Sequence, residues 1–172
     1  MEIHTNRVHA CTFIGHRKAE LSQEQIEKVK SVVESLIVEH GVSEFLFGSK
    51  SEFDSLCWEI VTELKRKYPH IRRINVRAEY RYVYDDYLSS LLTYYEESFY
   101  PDEIADAGRQ VYVARNRYMI DRAEYCVFYL LENYTPPQQP LRKHCITPIS
   151  AKSGTKVAYE YAKRKKREII LI

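Results

Sequence analysis

The stretch Ala114-Arg115-Asn116-Arg117-Tyr118-Met119-Ile120-Asp121-Arg122-Ala123, followed by Tyr125-Cys126-Val127-Phe128-Tyr129-Leu130-Leu131, decides the fold. Its first half has apolar residues at helical spacing. Its second half is a continuous apolar run of strand formers, as expected of a strand buried on both faces. A proline-rich loop comes next, then Ser153-Gly154-Thr155 opening a helix, then the apolar strand that ends at Ile172. A helix N-terminus directly after such a loop gathers free backbone N–H groups and the positive end of the helix dipole, which makes it a candidate anion site.

The same alternation runs through the first half of the chain. Val8 to Ile14 reads as a central strand leading into the loop Gly15-His16-Arg17. Ser22 with Gln25 makes a capping box for a helix that carries Ile26, Val29, Val32, Val33, Leu36 and Ile37 inward and stops at His40-Gly41. Phe45-Leu46-Phe47 is a short strand that ends in Gly48-Ser49-Lys50-Ser51, and Ser51 can cap a helix with Phe53, Leu56, Cys57, Ile60, Val61 and Leu64 on its inner face. His16 and Arg17 suit a phosphate or carboxylate, and equally a loop histidine with a solvated arginine. Gly48 and Ser49 let a backbone approach a ligand, although the loop lacks the ending of a Walker motif. Asp54, in the first helical turn, could hold a ribose hydroxyl or simply favour the helix N-terminus.

Ile71 to Val76 alternates with Arg72, Arg73 and Arg77, which suggests a polar face or an edge strand. A helix is predicted over 85–97 with Leu88, Leu91, Leu92 and Tyr95 as its stripe, and a fourth short strand over 98–100. The tyrosines of residues 80–100 could line a base pocket, cover the sheet edge or form an interface, the surface or interface role being preferred. Arg115 and Arg117 are two apart and cannot both face the core, so one of them is expected to reach the carboxyl edge of the sheet. Residues 132–153 form a loop long enough to be a lid. The run Lys163-Arg164-Lys165-Lys166-Arg167 fits the C-terminal end of the last helix, where the dipole favours cations.

Strand and helix alternate throughout, so the expected fold is α/β: three layers, with a mostly parallel sheet flanked by helices, as a single domain over 1–172. The loops at Gly15, Gly48 and Gly154 then gather at the carboxyl edge of the sheet, where open α/β sheets bind ligands. The glycine fingerprint of standard dinucleotide sites is absent. Composition narrows the partners. A net charge of +2 argues against nucleic acid as the main one. Cys11, Cys57, Cys126 and Cys145 share no metal-type spacing, so no metal is expected, and three of them read as small core residues of a reducing compartment. No apolar run reaches membrane-spanning length and the N-terminus does not read as a signal peptide, so a cytoplasmic protein without a membrane partner is expected.

Four segments in order, Thr12 to Arg17, Phe47-Gly48-Ser49 with Phe53-Asp54, Arg115 to Asp121, and Ser153-Gly154-Thr155 with Ala158 and Tyr161-Ala162, resemble the YpsA-like branch of the SLOG superfamily. That superfamily is named for the Smf/DprA proteins and the LOG phosphoribohydrolases. The resemblance implies a Rossmann-like domain that binds nucleotides or molecules derived from them. LOG enzymes cleave the N-glycosidic bond of a nucleoside monophosphate, using an Arg-Lys-x-x-Met segment and a Gly-Gly-x-Gly-Thr-x-x-Glu loop. Arg115 and Met119 match the first, and Gly154 and Thr155 match part of the second, but Ala158 stands where the glutamate is expected and the double glycine is missing. Glycosidic cleavage needs a carboxylate beside the developing oxocarbenium ion. Asp54 and Asp121 are the substitutes to consider.

The expected function is therefore binding or sensing of a nucleotide-like small molecule. The alternatives are a LOG-like N-glycosidase and, less favoured, a DprA-like nucleic-acid binder. The expected site combines Gly15, His16 and Arg17 with Gly48, Ser49 and Asp54, and with Arg115, Asn116, Ser153, Gly154 and Thr155. No cofactor is expected. On this reading Arg115 neutralises a phosphate, and Arg115→Ala weakens an anionic ligand while leaving the fold stable. LOG proteins dimerise through helices, so the resemblance makes a homodimer plausible.

Overall fold

The computed structural model describes residues 9–135 and 153–172. Strands β1 (His9–Gly15), β2 (Val42–Phe47), β3 (Arg72–Val76), β4 (Glu97–Phe99), β5 (Tyr125–Tyr129) and β6 (Glu168–Leu171) form one parallel sheet in the order β4-β3-β2-β1-β5-β6. Helices α1 (Gln23–Val38) and α2 (Glu52–Lys67) pack with one face, and α4 (Val111–Arg122) and α5 (Gly154–Arg164) with the other. A short α3 (Asp85–Leu91) lies between β3 and β4. This is the expected Rossmann-like α/β sandwich. The loop predicted over 132–153 falls outside the described residues from 136 to 152.

The core explains why these strands are central. Phe13, Phe45 and Phe47 stack on the α1/α2 face with ring centroids 6.0 and 5.3 Å apart, over Val29, Val33, Phe53 and Cys57. The α4/α5 face buries Ile14, Ile120, Cys126 and Phe128 against Ala158 and Ala162. Ala158 is small because α5 presses on the sheet there. Cys11, Cys57 and Cys126 are buried free thiols, and burial pushes the Cys126 thiol up to about 12. Among the described residues no helix is long and apolar enough to cross a membrane.

Sequence boundaries held where caps are strong. Ser22 and Gln25 form the expected capping box, and Ser51 caps α2. The predicted helix over 85–97 does not hold. It stops at Leu91, and α3 buries no residue. Glu96 then accepts from the Arg73 backbone N–H at 2.6 Å and pairs with its guanidinium at 2.8 Å, while the Glu96 N–H donates to the Arg73 carbonyl. Those bonds pull the chain into β4 instead of extending the helix. β3 is accordingly covered by β4 and is not an edge. Its Arg72 bridges Glu44 and Glu97 on the neighbouring strands.

Gly15 ends β1 against α2. A Cβ there would sit 2.6 Å from the Phe53 Cβ and Cδ1. Phe53 is fully buried, and its Cβ is fixed to the helix backbone, so the strand and the helix would have to separate. Gly15→Ala should cost at least about 2 kcal/mol, as overpacking of a filled core does. Urea denaturation measures this, and a variant within 0.5 kcal/mol of wild type, roughly the scatter of neutral substitutions, would contradict the packing described.

Candidate functional site

The site grows from the turn after β2. Asp54 stands three residues after the cap Ser51, whose hydroxyl accepts its N–H at 3.0 Å. That fixes the carboxylate under the loop, where one oxygen accepts the Gly48 N–H (3.1 Å) and the other the Ser49 N–H (2.8 Å). Ser49 is held with φ of 57°, a left-handed conformation that a serine adopts only when its surroundings impose it. On the far side of the loop the Arg115 Nη1 donates to the Gly48 carbonyl at 2.6 Å, and its Nε donates to Asn116 Oδ1 at 3.1 Å. A Cβ on Gly48 would lie 2.5 Å from the Arg115 Cζ, so only glycine allows the guanidinium this close.

Electrostatics follow from that burial. Asp54 is pushed up to about 6, chiefly because it is fully buried; the two N–H donors and the nearby Arg115 limit the rise. Burial lowers Arg115 from its ordinary value, against the pull of Asp54 and Glu79. A guanidinium so far above neutrality stays charged.

Ser49 is also one link of a polar chain across the strand ends. Asn75 Nδ2 donates to Ser49 Oγ (2.9 Å), Ser98 Oγ donates to Asn75 Oδ1 (2.9 Å), and Ser49 Oγ meets the Tyr95 hydroxyl at 2.7 Å. Ser49, Asn75 and Tyr95 of this chain form the floor of a cleft of about 360 Å³ beyond the carboxyl ends of β2 and β3, with Ser98 behind them. One wall is Trp58, set edge-on to Tyr94 and Tyr95 with centroids 6.0 and 6.2 Å away. Tyr80, Tyr87 and Arg77 line it as well. Lys50, 2.9 Å from Glu79, is a further lining pair. A shallower depression that includes Arg17 and Ser51 shares Ser49 and Lys50 with this cleft.

The expected residues thus divide. Gly48, Ser49, Asp54, Arg115 and Asn116 come together, and Arg17 opens on the adjoining depression. Arg115 is the arginine that reaches the carboxyl edge, while Arg117 is exposed. Arg115 is only 4% exposed, however, and it faces the back of Gly48 rather than open solvent. Asp54 likewise engages both oxygens with the loop and has no side facing a ribose.

His16 differs most from expectation. It lies at the switch point of the sheet, between β1 and β5, where a ligand crevice is the general rule. There the ring is buried, and its Nε2 accepts the Leu131 N–H at 3.0 Å. Tyr134 stacks on it at 3.8 Å between centroids. Burial lowers its pKa, so it is a neutral ring that fills the crevice and not a cation for a phosphate. Gly15 is packed on Phe53. Ser153 uses its hydroxyl to cap the Lys156 N–H at 3.1 Å, Thr155 is buried, and a Cβ at Gly154 would meet nothing within 4 Å among the described residues.

Tyr80, Tyr87, Tyr94 and Tyr95 come from the tyrosine cluster that could line a base pocket, whereas Trp58, Asn75 and Arg77 are lining residues with no site role expected from the sequence. The available signal was Asn75, a lone amide between Ile74 and Val76 in an otherwise apolar strand end. The candidate carboxylates also resolve. Asp121 sits in the last turn of α4, where it accepts from the Tyr161 hydroxyl (2.8 Å) and pairs with Lys165 (3.2 Å), at the amino edge of the sheet. Among the described residues no group of acidic, histidine and cysteine side chains could hold a metal ion.

No protein-family model matches the chain, and no curated protein matches it. Solved structures do. DNA processing protein A (DprA) from Streptococcus pneumoniae superposes with a TM-score of 0.56 at 15% identity, over 95% of this chain and 50% of that one. The Moco Carrier Protein from Chlamydomonas rheinhardtii superposes with a TM-score of 0.50 at 12% identity, over 96% of this chain and 76% of that one. At these identities the likeness is one of fold. The chain has a Rossmann-like α/β fold like that of this DprA, and it spans half the length of that chain.

Proposed function

We propose that this protein is a binding module or sensor, of the YpsA-like kind within the SLOG superfamily, for a nucleotide-derived small molecule held in the cleft above Ser49 and Asn75. One observation carries this reading. The Gly48-Ser49 loop is fixed from beneath by Asp54 and from behind by Arg115, at the floor of a cleft whose walls are aromatic. A preformed cleft of about 360 Å³ falls within the range of small-molecule sites, roughly 300–1,000 Å³. Aromatic walls suit a base, the floor hydroxyls suit a sugar, and Arg17 lies in the depression that adjoins Ser49. The two structural neighbours, a DNA processing protein and a Moco carrier protein, differ in what they handle, so the ligand class rests on the cleft and on the sequence resemblance.

Binding without turnover fits the carboxylates that the resemblance points to, although Glu59 and Glu79 also line the cleft. Ala158 is buried in the core where LOG enzymes carry glutamate, Asp121 is at the opposite edge, and Asp54 is engaged with backbone. The chain has one tryptophan, and it forms a wall of the cleft, so its fluorescence reports occupancy directly. Titration with the common nucleosides and their 5′-monophosphates should give saturable quenching with at least one. Tyr87→Ala should weaken that binding about tenfold or more, the loss expected when a stacking surface is removed. A flat response to the whole panel would overturn the proposal. Free base accumulating in the same mixtures would replace it with the N-glycosidase reading.

A further inference from the structure

Resting on that reading, we infer that the cleft recognises the uncharged nucleoside part of its ligand, the ring and the sugar hydroxyls, and that phosphate groups add little to affinity. Lys50 is paired with Glu79, whose carboxylate also accepts the Tyr112 hydroxyl. Arg77 donates through Nη1 to the Tyr80 carbonyl at 2.6 Å, while its Nε is buried with no hydrogen-bond partner among the described residues. Arg115 is closed off behind Gly48. Glu59 and Glu79 line the same cleft, so an added phosphate would meet two carboxylates there, and of the two lining cations Lys50 is already paired.

The neutral groups are in the reverse condition. Ser49 Oγ accepts one hydrogen from Asn75, and it shares a single contact with the Tyr95 hydroxyl. Two hydroxyls have two hydrogens, and that contact uses one. Whichever way the pair is oriented, one O–H hydrogen on the floor of the cleft remains to be donated. A sugar hydroxyl or a base carbonyl is an acceptor of the right kind for it. Trp58, Tyr80, Tyr87 and Tyr94 offer ring faces and edges at the same place, and stacking on them is indifferent to the charge of a distant phosphate. Arg17 is exposed, and a solvated cation contributes little to a bound anion.

The test is calorimetry on the full chain with adenosine, guanosine, cytidine and uridine and with each 5′-monophosphate, at low and at moderate salt. For the best base, nucleoside and monophosphate should bind within about fivefold of each other, with little salt dependence. Tyr95→Phe combined with Ser49→Ala removes both hydroxyls, so the double variant should weaken the nucleoside about fivefold while circular dichroism stays unchanged. A monophosphate that binds at least about tenfold tighter than its nucleoside, a gain beyond what an exposed ion pair supplies, overturns this inference and leaves the nucleotide-binding reading standing. Failure of every nucleoside and every monophosphate to bind overturns both.

Discussion

Arg115→Ala should destabilise the protein by about 3–5 kcal/mol, the scale of a lost charge-assisted hydrogen bond together with the cavity left by a large buried side chain. Three consequences follow from its geometry. The Gly48 carbonyl loses its 2.6 Å donor, Asp54 loses the nearest opposing charge, and a side chain that is 4% exposed leaves a void beside β2 and β3. None of these can be repaired by water without opening the loop. Arg115→Met separates volume from charge: it refills most of the space and still leaves Asp54 without a cation, so it should recover only part of the loss. Urea denaturation gives the comparison, and a chain of this size should lose roughly 10 °C in Tm for a change of that order. A stable Arg115→Ala variant with weakened anion binding would instead restore the phosphate role that the sequence suggests.

How far the sequence could be read depends on which interactions are local. The alternating α/β order, the Ser22–Gln25 capping box and the Ser51 cap were legible because a cap is decided within four residues. The end of α3 was not, because it is decided by Arg73, which lies 23 positions from the Glu96 it captures. The roles of the site residues were hidden for the same reason. Nothing near Arg115 in sequence announces that Gly48, 67 positions away, will cover its guanidinium. His16 reads as a phosphate ligand until Leu131 and Tyr134 arrive from the other half of the chain to bond and cover it. The turn Gly48-Ser49 was legible as a close-approach loop. Its connection through Asn75 to Ser98 spans three strands and needed the sheet order β4-β3-β2.

Asp54 should give the folded protein a pH dependence of unusual sign for a carboxylate. Its pKa is raised from 3.8 to about 6 by burial, so between those values the folded chain holds a proton that the unfolded chain has released. Stability from this group is therefore greatest below about pH 4 and is lost as pH rises to about 6, by at most about 3 kcal/mol at about 1.4 kcal/mol per pKa unit. Asp54→Asn removes the titration. It also sets an amide N–H₂ against one of the Gly48 and Ser49 N–H donors, so the variant should be less stable overall but should lack the fall between pH 4 and 6. Urea midpoints at pH 4, 5, 6 and 7 for both proteins test this, and parallel curves would remove Asp54 as the titrating group. Ligand binding should run the other way. Only the ionised carboxylate accepts from both loop N–H groups, and those bonds hold Ser49 at its strained φ of 57° over the cleft. Protonation below pH 6 replaces one acceptor with an O–H and loosens the loop. A ligand that needs the held loop then binds more weakly at pH 5 than at pH 7, while the fold itself gains from this group, and that opposition separates a loop effect from general acid unfolding.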